Sequence, residues 1–382
     1  MDSILHVVDS IELVSGGLGL AALRLSEAQS YCASKITLLV NRSSRHPVFE
    51  SLSDASSRCL FVPNKIQNCA VLAARSIWVN GLLREIEPRA VHLHGVWSPF
   101  LFEVALIAHL RGIPFFISPH GCYEPWSLKQ KAFKKKIALY SYQGWLNRHA
   151  HVLFATSEQE VASISNLRIG RPIALIPNGV DIPKECSLSN PSERENIILF
   201  MSRIHPGKGL LELIHAWRKV GKPDWRVVIA GPDEGGYKAV IEEEILKSDL
   251  GASFSFAGLV TGAEKLSLFN RAKIFILPTR SENFGIVIGE ALAHSIPVIT
   301  TTGAPWSELV DYDCGWWVHP NVEQIALALD SAMRTPDREL AHMGERGRRL
   351  VVDKYGWASV ARRSLDIYEW ALFGGNRPDF IF

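Results

Sequence analysis

The chain has 382 residues, 47% hydrophobic and 21% charged; this excludes a disordered chain and asks for two domains rather than one core. A formal net charge of +2 excludes a general nucleic-acid binder, which would be far more basic. The six cysteines (Cys32, Cys59, Cys69, Cys122, Cys186, Cys314) form no C-x-x-C pair, and no histidine cluster stands at zinc spacing. A reduced compartment, with no metal and no cofactor, is the expectation. The opening MDSILHVVDS reads as a first strand, not a signal peptide. No apolar stretch is long enough to cross a bilayer, so a cytoplasmic location is expected.

Short apolar or β-branched runs alternate with helical patterns. Ile4–Val8, Ile36–Val40, Ala90–Leu93, Phe115–Ser118 and Val152–Ala155 read as buried strands, with helical spacing over Leu72–Ile86 and Phe102–Leu110. Pro, Asn, Gly and Ser gather between Ile176 and Glu195, the mark of a linker. A second series follows: strands over Ile197–Met201, Trp225–Ala230, Ser253–Phe256, Ile274–Leu277, Pro297–Thr300 and Gly315–Val318, and helices over Leu210–Lys219 and Lys238–Lys247. The stretch Trp357–Phe373 is one amphipathic helix. The pattern predicts an α/β chain of two Rossmann-like halves, each a doubly wound parallel sheet.

Within SENFGIVIGEALAHSIPVITT, Ser281–Thr301, a strand (Lys273–Pro278) leads through a loop into a helix (Gly285–His294). Gly285 then stands at a helix N-terminus, where free N–H groups favour an anion. Glu282 precedes the helix and Glu290 lies more than a turn inside it, so each is placed for a different hydroxyl of one extended ligand. The plain alternative makes Glu282 a partner of the helix dipole and Glu290 a solvated residue; the apolar neighbours of Glu290 speak against the second half of it. LFMSRIHPGKGLLELI, Leu199–Ile214, puts Arg203 and Lys208 beside Gly207 and Gly209 on another strand–helix loop. Two cations there suit a diphosphate, although surface charge on a turn explains either one alone.

In the first half, Gly17, Gly19 and Ala22 match G-x-G-x-x-A, but IELV intervenes after the strand and no acidic ribose ligand ends the next one. His120, in ISPHGCYEPW, follows a buried strand and precedes a glycine, which puts it at the carboxyl edge of the sheet. HLHGVWSP ends another strand at the same rim. Between Ser127 and Leu146, Lys129, Lys131, Lys134, Lys135 and Lys136 interleave with Phe133, Ile137 and Leu139. This is either a basic amphipathic face for anionic headgroups or a lipid diphosphate, or a solvated helix face.

SENFGIVIGEAL resembles the E-x7-E motif of retaining GT-B glycosyltransferases, specifically glycosyltransferase family 4. The resemblance extends to SRIHPGKGL, IPNGVD, IAGPDEGGY, FAGLV and TTGAPWSEL–CGWWV. It implies a GT-B fold, two Rossmann-like domains facing a central cleft: residues 1–180 with the helix 357–382 crossing back as the acceptor domain, and 190–355 as the nucleotide-sugar donor domain. It gives Arg203 and Lys208 the donor diphosphate, Glu290 the nucleotide ribose and Glu282 the transferred sugar. The backbone of Asn283, Phe284, Gly285 and Ile286 would cradle sugar and phosphate, Gly258, Leu259 and Val260 would border the base, and Gly16 and Gly17 would let a glycine-rich loop approach the phosphate. His120 would contact the donor sugar near the reacting carbon; His94, Trp97 and Ser98 would line the acceptor side, with a packed tryptophan as the rival reading.

The reaction so implied moves a sugar, with retention, from a nucleoside diphosphate to a hydroxyl, on a lipid-linked glycan of bacterial lipopolysaccharide, capsule or exopolysaccharide. Peripheral contact with the cytoplasmic membrane face through the five lysines accompanies that reading; no nucleic acid does. Four rivals stand beside it: a metal-dependent GT-A transferase, on Asp311–Tyr312–Asp313; a nicotinamide oxidoreductase, on the glycine fingerprint; a GT-B-fold sugar-nucleotide epimerase; and a sugar-binding module without turnover.

Overall fold

The computed structural model describes residues 3–11, 17–32, 35–41, 57–67, 72–184 and 193–382. The chain divides into two compact units, Met1–Gly179 with Trp357–Phe382, and Val180–Gly356.

The first unit holds β1 (Ile4–Val8), β2 (Ile36–Val40), β3 (Ser57–Phe61), β4 (Ala90–His94), β5 (Phe115–Ser118), β6 (Leu153–Ala155) and β7 (Ile173–Leu175). All pair in parallel, in the spatial order β3-β2-β1-β4-β5-β6-β7. Runs such as ILHVV and ITLLV are buried along their whole length, because helices cover both faces. One face packs Leu5, Val7, Val91 and Leu93 against α3 (Leu72–Ile86) and α4 (Pro99–Leu110). The other packs Ile4, Ile36, Phe116 and Phe154 against α16 (Trp357–Phe373), which lies beside α1 (Gly17–Ser30). The last residues cover β7: the Ile173 N–H donates to the Phe382 carbonyl at 3.0 Å and the Phe382 N–H returns at 2.7 Å, so the edge strand is paired.

The second unit holds β8 (Glu195–Met201), β9 (Arg226–Ala230), β10 (Phe254–Gly258), β11 (Ala272–Leu277), β12 (Val298–Thr301) and β13 (Gly315–Val318), in the order β10-β9-β8-β11-β12-β13. Its helices include α9 (Leu210–Val220), α11 (Gly262–Arg271), α12 (Ile286–Ala293), α14 (Val322–Arg334) and α15 (Asp337–Tyr355). Strand order reverses once in each sheet, between β1 and β4 and between β8 and β11. The carboxyl ends of strands at such a reversal are where open α/β sheets take their ligands.

Two strands were absent from the sequence reading. β3 is SRCLF, an edge strand carrying an arginine, and β7 has only three residues; neither offers a long apolar run. The lysine-rich stretch is not one helix. It is α5 (Pro125–Lys129), α6 (Ala132–Tyr140) and α7 (Tyr142–His149), broken at Lys131, with φ 51°, and at Ser141.

Candidate active site

In the second unit, β8 runs into the loop 202–209 and β11 into the loop 278–285, which opens α12. These loops lie side by side at the strand reversal and are joined. The Arg280 N–H donates to the Gly207 carbonyl at 2.9 Å, and Thr279 Oγ1 donates to the same oxygen at 3.1 Å. Gly209 has φ 74°, and a Cβ there would stand 1.9 Å from the Pro278 carbonyl oxygen; only glycine permits that approach. The junction brings Lys208 onto Glu282, whose side chains form an ion pair with both partners mostly buried. Two expected site residues, 74 positions apart, thus meet.

Around them the loop is held by backbone groups. The Glu282 N–H donates to the Gly303 carbonyl at 2.7 Å, and Trp306 Nε1 donates to the Phe284 carbonyl at 2.6 Å. Gly285 precedes α12 at φ 78°, and no side chain caps the helix, so the positive end of α12 is left to another acceptor. Beside it, Asn283 Oδ1 is buried with no hydrogen-bond partner among the described residues, an expensive arrangement that calls for a reason. Glu290 is not solvated: Lys265 of α11 donates to Glu290 Oε1 at 2.6 Å. Lys265 escaped the sequence reading because only the packing of α11 beside α12 brings it there.

Arg203 stands apart from this pair. It is half-exposed and bonds Glu234 at 2.7 Å. Gly258, at φ 73°, ends β10, followed by an exposed Leu259 and a partly buried Val260. Asp311 ends α13 (Glu308–Asp311), while Asp313, at φ 48°, pairs with Arg346 at 2.8 Å; the string forms a turn.

In the first unit, Gly16 lies outside the described residues and Gly17 is the first residue of α1. Gly19 has the clearer physical requirement, since a Cβ there would meet the Ser10 carbonyl oxygen at 2.5 Å. His120 follows β5 at φ 52°, a conformation that costs a non-glycine residue about 1–2 kcal/mol. The next residue, Gly121, donates its N–H to Glu160 Oε1 at 2.6 Å. The other oxygen of this buried carboxylate accepts from the N–H and hydroxyl of Thr156 at 2.8 and 2.9 Å. Glu160 therefore ties the turn after β5 to the end of β6.

His94 does not stand alone. The parallel register sets His6 opposite His92, with His94 two residues on, so all three project from one face. Their ring nitrogens approach within 4.8 Å. The spacing along the chain concealed this, because one member comes from another strand. The described partners already occupy these nitrogens. His6 bonds Gln29 at 2.7 Å and His94 at 2.9 Å; His92 bonds Tyr368 at 2.5 Å and Ser118 at 2.8 Å; His94 bonds His120 at 3.1 Å. Burial pushes the pKa values of His6 and His120 down to about 4, and burial followed by the neighbouring imidazoles holds His92 and His94 well below the ordinary range. All four rings are neutral at pH 7.

Of the other rim residues, the Ser98 hydroxyl caps α4 by accepting the Leu101 N–H at 3.3 Å. Trp97 packs edge-on against Tyr123; its backbone N–H donates to Gln143 Oε1 at 2.9 Å, while its indole Nε1 is buried with no hydrogen-bond partner among the described residues. Lys135 differs from its fellow lysines: it turns inward to donate to the Ser127 carbonyl at 2.6 Å and lies over the Trp97 ring. Lys129, Lys131, Lys134 and Lys136 are exposed, and with them Trp126, Phe133, Ile137 and Tyr140.

Two doubly wound units, one with cations, carboxylates and an uncapped helix gathered at a strand reversal, are an α/β architecture suited to an anionic ligand. Comparison makes the class specific. Residues 183–350 match the family model of glycosyl transferases group 1, and residues 16–179 that of the glycosyl transferase 4-like domain. The chain is a glycosyltransferase of GT-B fold. It is 25% identical over 319 residues to an uncharacterised glycosyltransferase of Methanocaldococcus jannaschii, covering 76% of this chain and 78% of the relative. It is 26% identical over 306 residues to the GDP-mannose:cellobiosyl-diphosphopolyprenol alpha-mannosyltransferase of Xanthomonas campestris, covering 77% of each. Among solved structures, the sucrose-phosphate synthase of Thermosynechococcus elongatus shares the fold at a TM-score of 0.78 and 17% identity, over 98% of this chain and all of that one. Anabaena HepE, in complex with UDP and glucose, shares it at 0.75 and 17%, over 96% of this chain and 98% of that one. Glycosyl transfer displaces the oxidoreductase and epimerase readings.

Proposed function

We propose that the enzyme binds a nucleoside diphosphate hexose in the second unit and transfers the hexose, with retention and without a metal, to a hydroxyl of a lipid-diphosphate-linked glycan in bacterial surface-polysaccharide synthesis. The observation that carries the donor site is the joined pair of loops at the β8–β11 reversal, where Lys208, Glu282 and the uncapped start of α12 meet. As the glycosidic bond breaks, charge builds on the leaving diphosphate. Lys208, Arg203 and the α12 N–H groups stabilise it. Glu282 grips the transferred sugar, whose transition state is oxocarbenium-like. The orphaned Asn283 Oδ1 accepts a sugar hydroxyl, the backbone of Phe284–Ile286 takes sugar and phosphate, and Glu290, held by Lys265, takes the ribose diol. Gly258, Leu259 and Val260 border the base. The resemblance to glycosyltransferase family 4 assigns Gly17 to the donor phosphate and His120 to the donor sugar; Gly16, assigned with Gly17, lies outside the described residues. Among the acceptor-side residues, Trp97 remains assigned to the glycan, whereas His94 and Ser98 act through the neighbours they already bond.

The polyprenol-linked substrate in the name of the Xanthomonas relative supports the acceptor class. The exposed lysines and aromatic residues of α5 and α6 supply a peripheral contact with anionic lipid at the cytoplasmic face; no helix among the described residues is long and apolar enough to cross a membrane. A thermal-shift panel of UDP-, GDP- and ADP-hexoses tests the donor site. One family of donors should raise the melting temperature, and Lys208→Ala should erase the rise. Silence across the whole panel overturns the assignment. Turnover that dies in EDTA and returns with a divalent ion would refute metal independence, and a product of inverted anomeric configuration would refute retention.

A further inference from the structure

The four buried histidines are joined by a hydrogen-bond chain whose direction can be read from its far end. On α16, Ser364 Oγ lies 2.7 Å from the Ala361 carbonyl oxygen, which can only accept; the serine hydroxyl therefore donates there. Ser364 Oγ also lies 2.7 Å from Gln29 Nε2 and, its hydrogen committed, must accept from that amide. The amide orientation of Gln29 is thereby set, with Oε1 toward His6 Nε2 at 2.7 Å. His6 then carries its proton on Nε2 and offers Nδ1 as acceptor, 2.9 Å from His94 Nε2. His94 donates through Nε2 and offers Nδ1, 3.1 Å from His120 Nε2. Each ring is neutral, so each has one donor and one acceptor, and the polarity passes unbroken from one to the next. Of the eight ring nitrogens of His6, His92, His94 and His120, His120 Nδ1 alone has no hydrogen-bond partner among the described residues.

We infer that Ser364, Gln29, His6 and His94 are positioning residues that fix the tautomer of His120, so that His120 meets the donor sugar through an unprotonated Nδ1 accepting a sugar hydroxyl. The inference deepens the donor-sugar assignment of His120 and rests on it for the identity of the hydroxyl's owner. The ring would be useless as an acceptor in the other tautomer, and a lone histidine on a turn would populate both. The chain starts on α16, so that helix contributes to chemistry it does not touch. His92 lies off the chain: its bonds run to Tyr368 and Ser118.

Nitrogen-15 spectra of the intact protein, labelled at its histidine rings, decide the polarity without any ligand. In the wild type, His120, assigned by loss of its signals in His120→Ala, should show a protonated Nε2 and a bare Nδ1. Gln29→Met, similar in volume, and Ser364→Ala, as a milder second variant, should each move His120 toward a mixture of tautomers. Ile367→Val, which loosens the packing of α16 without removing a hydrogen bond of the chain, should leave the pattern unchanged. A wild-type proton on Nδ1, or a His120 pattern unmoved in both Gln29→Met and Ser364→Ala, overturns the inference. Full donor turnover in His120→Ala would instead refute the donor-sugar contact, a failure the spectra distinguish because they need no sugar.

Discussion

Lys208 and Glu282 carry the proposed donor site, and because they form one ion pair they are expected to behave as one unit. Lys208→Ala or Glu282→Ala should each lower kcat by about 10²–10³-fold, and the double variant by little more than the worse single. Circular dichroism should stay that of the wild type; additive losses would mean two independent roles. At His6 the consequence is for stability. Its pKa is about 4 in the folded chain against 6.5 ordinarily, so in acid the unfolded chain takes up the proton more readily. The stabilisation is whole above pH 6.5 and is lost as pH falls toward 4, by up to roughly 3 kcal/mol for this one ring. The melting temperature should be flat from pH 7 to 8 and fall below 6.5, less steeply in His6→Gln. An equal acid slope in that variant would place the effect elsewhere.

At the scale of elements, loop junctions and exposed helix faces make the sharper claims. Gly209→Ala forces a Cβ against the Pro278 carbonyl oxygen at 1.9 Å and should cost about 2 kcal/mol or more, read as a lower urea midpoint; an unchanged midpoint would mean that the two loops part readily. On α6, Phe133 and Tyr140 are 78% and 82% exposed, an arrangement that soluble surfaces avoid when such residues cluster. Phe133→Ser with Ile137→Ser should abolish sedimentation with phosphatidylglycerol vesicles and spare fold and donor binding. Wild-type binding that is equally strong to neutral vesicles would remove the lysines from the account. The helix around Glu290 was legible because GIVIGEALA is apolar enough to make one carboxylate conspicuous. Lys265 and Glu160 were not, since ordinary charged residues on ordinary helices carry no mark of the partner they meet. Lys135 sits among four similar lysines, and nothing in their spacing shows that it turns inward to Ser127 and Trp97.

For the molecule as a whole, the first unit is discontinuous: its last helix arrives after the second unit is complete. Val360, Leu365, Ile367 and Tyr368 fill its core against Ile4, Phe116 and Phe154. Deleting residues 357–382 should therefore lower a first calorimetric transition and leave a second, that of Val180–Gly356, near its original temperature. A single transition shifted as one would contradict the division into two units. The sequence by itself determined the alternation of strands and helices, the two Rossmann-like halves, the loops that bear Arg203, Lys208 and Glu282, and the helix that bears Glu290. Those signals are local: apolar runs, glycines at strand ends and a motif within a dozen residues. Tertiary structure alone decided that Lys208 meets Glu282, that Lys265 neutralises Glu290, and that His6, His94 and His120 join Gln29 and Ser364 in one directed chain. Contacts of that kind depend on strand register and helix packing between positions tens to hundreds of residues apart, and no spacing along the chain records them.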